Sequence, residues 1–269
     1  MKKIFIIIVS YNGGNKLVKT LNFVKKIIEK DKNVSLIVVD NASRDGSIKE
    51  IKKIIRSFKL IRNRKNLGFA RANNQGMKQA IKDGADKILL LNQDAYLRNK
   101  DFLSLIKNQN DISSPIIKFK RNSEFIYDLG GKLNRVIMRP YHIEKFKRQN
   151  KNYEVDYVSG CCMLIDVSVL KKIGYLEEDF FLYFEDVDFC LRASKAGFKI
   201  GVELNAEVLH DFDEKEQKSI KSIYYLIKSN LLFINKWAKF PNKTMAYFYW
   251  FFISSKMLFR KLVYNIVKL

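Results

Sequence analysis

The chain has 269 residues, 47% of them hydrophobic, which suffices to bury a sizeable core in one large domain or one domain with an appendage. Its 50 Lys and Arg residues against 28 Asp and Glu residues give a formal net charge of +22. Such an excess is typical of proteins that meet nucleic acid, an anionic membrane surface or phosphorylated substrates, and also of a basic surface that is merely solvated. The spacing of Cys161, Cys162 and Cys190 excludes a zinc site and indicates reduced thiols, as in cytosolic proteins.

The first part of the chain alternates apolar runs with amphipathic segments. No apolar run reaches the roughly 18 residues of a membrane-spanning helix, and the run near the amino terminus is too short for a signal peptide, so we expect a buried first strand. Periodicity predicts strands over residues 4–9, 35–39, 60–61 and 87–91, and helices over residues 16–30, 47–57 and 70–83. This order predicts an α/β fold with right-handed β-α-β units and a mostly parallel central sheet flanked by helices.

The rest of the chain is less regular. Residues 119–154 are polar and basic without clear periodicity, so we expect a long loop that is functional or mobile. The following segments predict strands over residues 157–166 and 199–202, helices over residues 168–173 and 185–196, and helix from about residue 219 to the end.

Polar residues follow three of the predicted strands directly. They are Ser10, Tyr11 and Asn12 after the first strand, Asp40, Asn41, Ala42 and Ser43 after the second, and Asn92, Gln93 and Asp94 after the strand over 87–91. In open α/β sheets, ligands bind beyond the carboxyl ends of the strands. Any single end also fits an ordinary helix cap, but the repetition favours a ligand site.

The strand ends do not carry the motifs of two other classes of nucleotide-binding protein. The sequence Tyr11-Asn12-Gly13-Gly14-Asn15 is not the glycine fingerprint of a dinucleotide fold, and the phosphate-binding P-loop pattern is absent from the chain. Asp40 stands where an acid that binds ribose would stand, so a nicotinamide-dependent oxidoreductase stays open as an alternative. Without a glycine-rich loop, a divalent metal would neutralise a diphosphate, and this directs attention to Asp94.

An ordered set of motifs over about residues 4–212 resembles the family 2 glycosyltransferases, specifically their rhamnosyltransferase-like branch. The matching segments are Ile8–Asn12, Val38–Ser47, Asn66–Asn74, Leu91–Ala95, Val158–Met163 and Phe180–Arg192. The resemblance implies a GT-A fold, a nucleoside-diphosphate sugar donor, a divalent cation (Mn²⁺ or Mg²⁺) and inversion at the anomeric carbon.

The resemblance also assigns roles to residues by their position. It places Tyr11, Asp40 and Asn41 at the base and ribose of the donor, and Gly68 in the nucleotide pocket. A glycine at position 68 fits a backbone that adopts positive φ or approaches a ligand closely, and it equally fits an ordinary turn. Further residues implied on the nucleotide-sugar side are Ser10, Asn12, Ser43, Asn66, Phe69, Asn73, Asn92, Gln93 and Asp94. Those implied beside the donor sugar and the acceptor are Ser159, Gly160, Cys161 and Glu185. Asn73 also fits a helix position that faces solvent.

Asp94 occupies the place of the family's D-x-D metal motif, but Asn92 stands at the first position, which leaves one carboxylate. Mg²⁺ accepts one carboxylate with phosphates and waters, and Mn²⁺ also tolerates a nitrogen ligand. Related enzymes carry a metal-binding histidine after the last core strand, so the resemblance makes His210 a second ligand. A structural histidine is the alternative.

The pair Glu185-Asp186 matches the family's catalytic E-D motif. An inverting transfer is a single displacement that needs one base within hydrogen-bond reach of the acceptor hydroxyl, and we expect Asp186 to be that base. Five hydrophobic residues (Phe180–Phe184) precede it and would raise its pKa. The same acids, with Asp188, would also suit the first turn of a helix.

The sequence divides into an expected catalytic domain over residues 1–213 and a basic tail over residues 214–269. The tail carries 11 Lys and Arg residues against two Glu residues, and its last part is rich in aromatic residues. A helix with this composition is typical of segments that lie at the surface of an anionic membrane. A helix in the core or at a dimer interface is also consistent with the pattern. We therefore expect a cytoplasmic protein at the inner face of the membrane, and homo-oligomerisation stays open.

The expected reaction is transfer of L-rhamnose from dTDP-L-rhamnose to a glycan, or to a lipid-diphosphate-linked glycan, during synthesis of a cell-surface polysaccharide. The sugar rests on the family branch alone. A UDP-sugar donor, including galactofuranose, is the nearest alternative. Nucleic-acid binding is disfavoured because acids and amides, not cations, fill the strand ends.

Overall fold

The computed structural model describes residues 2–144, 155–212 and 219–267, the last six of these by their backbone only. The strands in these ranges are β1 (Ile4–Ser10), β2 (Val34–Asp40), β3 (Lys59–Arg62), β4 (Lys87–Leu91), β5 (Ala95–Leu97), β6 (Ile112–Arg121), β7 (Glu124–Asp128), β8 (Gly131–Asn134), β9 (Arg139–His142), β10 (Cys162–Asp166) and β11 (Ile200–His210). The helices are α1 (Gly14–Ile28), α2 (Ser47–Ile54), α3 (Phe69–Lys82), α4 (Asn99–Ile106), α5 (Val167–Ile173), α6 (Glu185–Lys195), α7 (Ile220–Trp237) and α8 (Asn242–Val267).

The central sheet has the order β3-β2-β1-β4-β10-β6-β11-β5, with β7 added to β6, while β8 and β9 form a separate hairpin. Strand β1 runs parallel to both β2 and β4, and β3 runs parallel to β2. Strand β10 is antiparallel to β4 and to β6. The predicted α/β fold with its mostly parallel sheet is therefore confirmed, and the carboxyl ends of β1, β2 and β4 are neighbours.

Both faces of the sheet are covered by helices. Along β1, Phe5 and Ile7 join one core with residues of α3, α5, α6 and α7, whereas Ile4, Ile6 and Ile8 join the other core with residues of α1, α2 and α4. A strand that buries both its faces needs apolar side chains at every position. This is why the run at the start of the chain is continuous rather than alternating.

The expected loop over residues 119–154 is wrong for its described part, because β6 reaches Arg121 and β7, β8 and β9 follow. Strand β7 lies at an edge and most of its side chains are exposed, so it lacks the apolar run that marks a buried strand. Residues 145–154 lie outside the described ranges. Other bounds also differ, since β10 begins only at Cys162 and β11 continues to His210. The single helix expected from about residue 219 to the end is wrong, because α7 ends at Trp237 and α8 begins at Asn242.

Helix α7 packs onto the core of the sheet domain. Phe233 and Ile234 are fully buried in it, and the Ser229 hydroxyl donates a hydrogen bond of 2.8 Å to the Leu182 carbonyl. Helix α8 packs against α7, where Trp250 Nε1 donates to the Ile227 carbonyl at 3.0 Å. The division between 213 and 214 stays a prediction, since residues 213–218 are not described. None of the described helices is both long and apolar enough to cross a membrane.

Candidate active site

The three polar strand ends meet at one edge of the sheet. The backbone N–H of Asn41 donates to the Ser10 carbonyl at 2.7 Å, which joins the ends of β2 and β1. Gln93 joins β4 to β1 through two bonds to Tyr11: its Oε1 accepts from the Tyr11 N–H at 3.0 Å, and its Nε2 donates to the Tyr11 carbonyl at 3.2 Å. These residues therefore form one continuous surface beyond the strands, as the sequence pattern predicts.

Asn41 organises this edge from inside the protein. Its side chain is almost fully buried, and Nδ2 donates to Asn66 Oδ1 at 2.9 Å and to the Gly68 carbonyl at 3.2 Å. Its Oδ1 accepts from the Leu67 N–H at 2.9 Å. Both side-chain polar atoms of Asn41 are therefore bonded to the loop before α3. Asn41 fixes the conformation of that loop and has no side-chain atom left to bond a ligand directly.

The loop after β2 is held in a similar way. Asp40 Oδ1 accepts from the Ser43 N–H at 2.8 Å, and Ser43 Oγ accepts from the Asn12 N–H at 3.1 Å. Ser10 is fully buried, and its hydroxyl has no hydrogen-bond partner among the described residues. Tyr11 is more than one-third exposed at the end of β1, so its ring is the part of this edge that is free to stack on a base.

Gly68 is required at its position for two reasons. Its φ is +85°, and a Cβ atom there would lie 2.5 Å from the Phe181 carbonyl oxygen. Next to it, the Phe69 N–H donates to that same carbonyl at 2.8 Å, which ties the start of α3 to the segment before α6. The close approach is therefore to the protein's own backbone. Asn73 is buried and donates to the Phe69 carbonyl at 3.0 Å, so it does not face solvent.

Asp94 and His210 lie side by side, with Asp94 Oδ1 and His210 Nε2 3.3 Å apart. Asn92 Nδ2 is 3.4 Å from the same nitrogen. Burial raises the pKa of Asp94, but hydrogen bonding and charge from His210, together with the charge of Lys16, hold that pKa below its usual range. Burial lowers the pKa of His210, yet Cys161 and Asp94 together raise it above its usual value. The two side chains are therefore in close contact where β4 and β11 end.

Lys16 was not singled out in the sequence. It lies in the first turn of α1, and its ammonium donates a hydrogen bond to the Asp211 carbonyl, next to His210. The positive charge of Lys16 lowers the pKa of Asp94, so a cation stands close to this carboxylate. In the sequence, the one feature that could have indicated Lys16 is its position shortly after the polar end of β1.

The donor set at this end fits a divalent cation. Asp94 supplies a carboxylate and His210 an imidazole nitrogen, and both side chains are less than one-fifth exposed. The described residues contain no group of three or more His, Cys, Asp and Glu side chains suited to a metal. A cation here would therefore complete its shell with phosphate oxygens and water, as Mg²⁺ and Mn²⁺ do in nucleotide sites.

Asp186 stands at the start of α6 on the other side of the same cleft. Its Oδ2 accepts from the Gly160 N–H at 3.0 Å, and its Oδ1 accepts from its neighbour's N–H, that of Val187, at 2.8 Å. Burial raises the pKa of Asp186, while these bonds and the charge of His142 act in the opposite direction and leave the net shift upward. A carboxylate of raised pKa is a better proton acceptor than an ordinary aspartate.

The backbone before this carboxylate is strained. Tyr183 and Phe184 have φ angles of 70° and 71°, a region that bulky residues seldom adopt. The conformation is held by packing, since the Phe184 ring lies 5.2 Å from that of Phe233 and the Phe181 ring stacks on Tyr225 at 4.2 Å. Apolar contacts to α7 therefore fix the direction in which the Glu185-Asp186 pair points.

Glu185 differs from Asp186 in its surroundings. It is almost fully buried, and its Oε2 makes no hydrogen bond to any described residue. Burial, reinforced by the charge of Asp186, raises the pKa of Glu185 well above its usual value. The surroundings of Glu185 therefore favour its neutral form more strongly than those of Asp186 do.

A cleft of about 700 Å³ extends from Glu185 and Asp186 to His210. Its predicted members are Phe69, Asn92, Ser159, Gly160, Cys161, Glu185, Asp186 and His210. The sequence did not indicate a second set on its wall, Arg121, Asp128, Arg139, His142, Tyr157, Tyr249, Ile253 and Met257. The cleft therefore extends from the strand ends to the β8–β9 hairpin and α8. The other predicted members lie outside its lining: Ser10, Tyr11, Asn12, Asp40, Asn41, Ser43, Asn66, Gly68, Asn73, Gln93 and Asp94. Asp94 is next to the cleft through its contact with His210.

The comparison with known families decides between the enzyme classes that the sequence left open. The profile of the glycosyl transferase family 2 matches residues 5–174, which is more than half of the chain. The chain belongs to this family. It is therefore a glycosyltransferase, and the predicted resemblance is confirmed. The matched part contains Asp94 and Gly160 but ends before Asp186.

Two known rhamnosyltransferases are similar in sequence to this family 2 chain over most of its length. The dTDP-rhamnosyl transferase RfbF of Shigella flexneri is 25% identical over 247 residues, which cover 87% of this chain and 80% of the relative. The N-acetylglucosaminyl-diphospho-decaprenol L-rhamnosyltransferase of Mycobacterium tuberculosis is 23% identical over 233 residues, covering 76% of this chain and 75% of the relative. These relatives support a rhamnosyltransferase-like member of the family.

Solved structures confirm the GT-A fold. The mannosyltransferase PcManGT of Pyrobaculum calidifontis, in complex with GDP-Man and Mn²⁺, superposes with a TM-score of 0.66 at 13% identity, covering 97% of this chain and 73% of that protein. GalNAc-T7, with UDP, GalNAc and Mn²⁺, gives the same TM-score of 0.66 at 17% identity over 79% of this chain, which spans 43% of that protein.

The burial of Glu185 makes stability depend on pH in a defined direction. Its pKa in the folded state lies above the unfolded value, so between these two values the unfolded chain releases a proton that the folded chain retains, and stability falls as pH rises. We expect Glu185→Gln to remove this loss. The free energy of unfolding in urea should therefore be higher for the variant at pH 8 and should approach that of the wild type at pH 4.

The control for this measurement is Glu177→Gln, since Glu177 is a partly exposed carboxylate that pairs with Lys236. That variant should show no gain at pH 8. A Glu185→Gln protein that is less stable than the wild type at pH 8 would show that Glu185 is ionised and paired in the fold.

Proposed function

We propose that this glycosyltransferase inverts the anomeric centre in a single displacement, with Asp186 as the base that activates the acceptor hydroxyl. The observation that carries the proposal is that Asp186 and His210 line one cleft, and that Asp94 Oδ1 lies 3.3 Å from His210 Nε2. Asp186 lies at the start of α6, and the Asp94–His210 pair lies where the ends of β4 and β11 reach the cleft. This is the arrangement that a direct displacement needs, with a base on one side of the sugar and the leaving group on the other.

Each step follows from the groups in place. The acceptor hydroxyl would donate its proton to Asp186 as its oxygen forms the bond to the anomeric carbon, while the bond to the diphosphate breaks. The raised pKa of Asp186 makes it a stronger base, and the Gly160 N–H keeps its carboxylate oriented. The pKa of Glu185 is raised well above its usual value by burial, which favours its neutral form and would leave the charge of the pair on Asp186.

The leaving diphosphate would lie at the other end of the cleft. A divalent cation held by Asp94 and His210 would supply charge neutralisation to the departing phosphate oxygens. Lys16 supplies a further positive charge next to Asp94. Tyr11, Asp40 and the loop organised by Asn41 would hold the base and ribose at the edge formed by β1 and β2.

We propose dTDP-L-rhamnose as the donor, because RfbF is named as a dTDP-rhamnosyl transferase and aligns with most of this chain. A UDP-sugar remains the alternative, since GalNAc-T7 of the same fold binds UDP. We propose a lipid-diphosphate-linked glycan as the acceptor, in line with the name of the mycobacterial relative. The product would then extend a cell-surface polysaccharide.

Helix α8 supports a site of action at a membrane surface. Its residues Met245, Phe248, Phe251, Phe252, Leu258 and Phe259 are all about half or more exposed. Residues on the other side of the helix, Ala246 and Ser254 among them, are buried against the protein. Lys243, Lys256 and Arg260 lie on the same helix, so an apolar strip flanked by cations faces outward, which suits an anionic bilayer.

The base assignment is tested by a pair of substitutions. We expect Asp186→Asn to reduce kcat by at least about 10²-fold, the lower end of the usual contribution of a general base, while nucleotide binding stays near that of the wild type. Asp94→Ala should instead weaken metal-dependent binding of the nucleotide sugar. Turnover is measured with nucleotide sugars and Mn²⁺ or Mg²⁺, and binding by thermal shift.

The matched control is Asp179→Asn, an exposed aspartate in the segment that leads to α6. It should retain full turnover. A rate near that of the wild type for Asp186→Asn contradicts the assignment of the base, and metal-dependent binding that survives Asp94→Ala contradicts the metal site.

The membrane surface is tested by vesicle flotation of the full chain. We expect the wild type to bind vesicles that contain anionic lipid and to bind neutral vesicles weakly, because each cation near the surface adds about 1 kcal/mol. The combined variant Phe248→Ser, Phe251→Ser and Phe252→Ser should lose most of this binding, since three exposed aromatic side chains are removed from the interface.

Phe125→Ser, on an exposed strand away from α8, should float like the wild type. Equal flotation of the triple variant and the wild type contradicts a membrane role for α8. A wild type that is a dimer without lipid, with a monomeric triple variant, would show that the strip binds a second copy instead.

A further inference from the structure

A wall of the cleft that the proposed mechanism does not use carries positively charged side chains. Arg139 and His142 are the first and last residues of β9, and both line the cleft that contains Asp186. Neither belongs to the strand ends of β1, β2 and β4. In the sheet, β7, which ends at Asp128 beside this wall, lies on the side of β4 away from β1 and β2. The wall is therefore separate from the edge that would hold the nucleotide.

His142 is held in one orientation by Asp128. Its Nδ1 lies 2.9 Å from Asp128 Oδ2, and Asp128 is buried at the end of β7. The imidazole packs edge-on against the Tyr157 ring, with 5.5 Å between ring centroids. About half of the His142 side chain is exposed, and because Nδ1 faces Asp128, Nε2 is the nitrogen available to a ligand.

The surroundings of His142 favour its charged form. Burial lowers the pKa of His142, but the hydrogen bond and charge of Asp128, with the charges of Asp186 and Glu144, raise it above its usual value overall. Tyr157 also contacts the ring, and Arg139 lies at the other end of the strand. An imidazolium presents an N–H donor to the cleft, so it would accept an oxyanion as its partner.

Arg139 is held by an aromatic ring rather than by a carboxylate. Its guanidinium carbon lies 5.6 Å from the centroid of the Tyr249 ring, and it donates a hydrogen bond to the Tyr249 hydroxyl. Within the described residues it forms no ion pair. Arg121, further along the same wall, is neutralised by Glu144 at 3.0 Å. Arg139 therefore brings an uncompensated charge and several N–H donors to the cleft.

Tyr249 connects this wall to helix α8. Tyr249 lines the cleft together with Ile253 and Met257 of the same helix, while the opposite face carries the exposed phenylalanines. A molecule anchored in a bilayer beneath α8 would thus pass along Tyr249 and Arg139 before it reached Asp186. The group next to its lipid would meet the two cations first.

We infer that Arg139 and His142 form an acceptor-side subsite for a phosphate or diphosphate group. The inference rests on the proposed function, since it describes how the acceptor of that reaction is held. Two side chains that each donate a charge-assisted hydrogen bond, one locked by Asp128 and one by Tyr249, are preorganised for such an anion. The donor's own diphosphate would lie at Asp94 and Lys16, at the other end of the cleft.

The test uses inorganic pyrophosphate as the probe and isothermal titration of the full chain in metal-free buffer. We expect Arg139→Gln and His142→Gln each to weaken pyrophosphate binding by about tenfold, the effect of losing one charged hydrogen bond. Arg139→Lys should restore part of the affinity, because it keeps the charge but not the fork of donors. This conservative variant separates loss of the charge from loss of the fold.

The matched control is Arg135→Gln, which removes the same charge from the same hairpin at an exposed position outside the cleft lining. It should bind pyrophosphate as the wild type does. Equal binding by the wild type, Arg139→Gln and His142→Gln overturns the subsite. A loss in Arg135→Gln as large as in Arg139→Gln also overturns it, because general surface charge would then explain the binding.

A second arm separates the acceptor from the donor as the source of the phosphate. The titration is repeated with the chain saturated with dTDP or UDP, whichever it binds, and pyrophosphate affinity should be unchanged. Displacement of pyrophosphate by the nucleotide would assign these cations to the donor and overturn the inference. Turnover of nucleotide sugars by the wild type is measured on the same preparation. If the wild type does not turn over any nucleotide sugar, only the proposed function is contradicted. If Arg139→Gln and His142→Gln bind pyrophosphate as tightly as the wild type, only the subsite is contradicted.

Discussion

The hydrogen bond from the Gly160 N–H to Asp186 Oδ2, 3.0 Å long, is the contact on which the rest of the site depends. It joins the segment before β10 to the start of α6 and sets the carboxylate against the cleft. A side chain at Gly160 would crowd this contact, because its Cβ would lie 3.2 Å from the Phe69 ring and 3.6 Å from Asp186 Cβ. The absence of a side chain at this position therefore lets Asp186, the start of α3 and the segment before β10 pack together.

The position of α6 depends in turn on α7. Asp188, fully buried one turn into α6, is bonded by Arg192 at 2.8 Å, by Trp237 Nε1 at 2.9 Å and by Lys236 at 2.9 Å. Two of these partners come from the end of α7. A buried carboxylate needs such partners, and losing one of them would leave an uncompensated charge. The helix that appears as a tail in the sequence thus stabilises the geometry of the active site.

The sequence predicted the part of the fold that is buried on both sides. Strands β1, β2 and β4 were predictable because parallel strands covered by helices are continuously apolar, and their polar ends marked the site for the same reason. The roles given to Asp94, Asp186 and His210 come only from the resemblance to a family and stay a prediction, since each residue alone also fits a helix cap, a first turn or a structural histidine.

The wall of the cleft that carries Arg139 and His142 was not predictable, for a physical reason. Strands β7 and β9 are largely exposed, so they carry no hydrophobic period, and residues 119–154 looked like a loop. His142 and Asp128 are 14 residues apart and meet because the residues that follow β7 and β9 are hydrogen-bonded to each other, with the Leu129 N–H donating to the Ile143 carbonyl at 3.0 Å. Tyr249 reaches Arg139 across 110 residues. Contacts of this kind depend on tertiary structure and leave no local pattern.

The most direct test of the central claim is the stereochemistry of the reaction. The wild-type chain is incubated with dTDP-L-rhamnose and Mn²⁺, and the anomeric configuration of the first sugar released to water is followed by proton NMR before it equilibrates. A single displacement in this cleft predicts a product whose anomeric configuration is opposite to that of the donor. A product that keeps the donor's configuration would contradict a mechanism in which Asp186 acts only as a base.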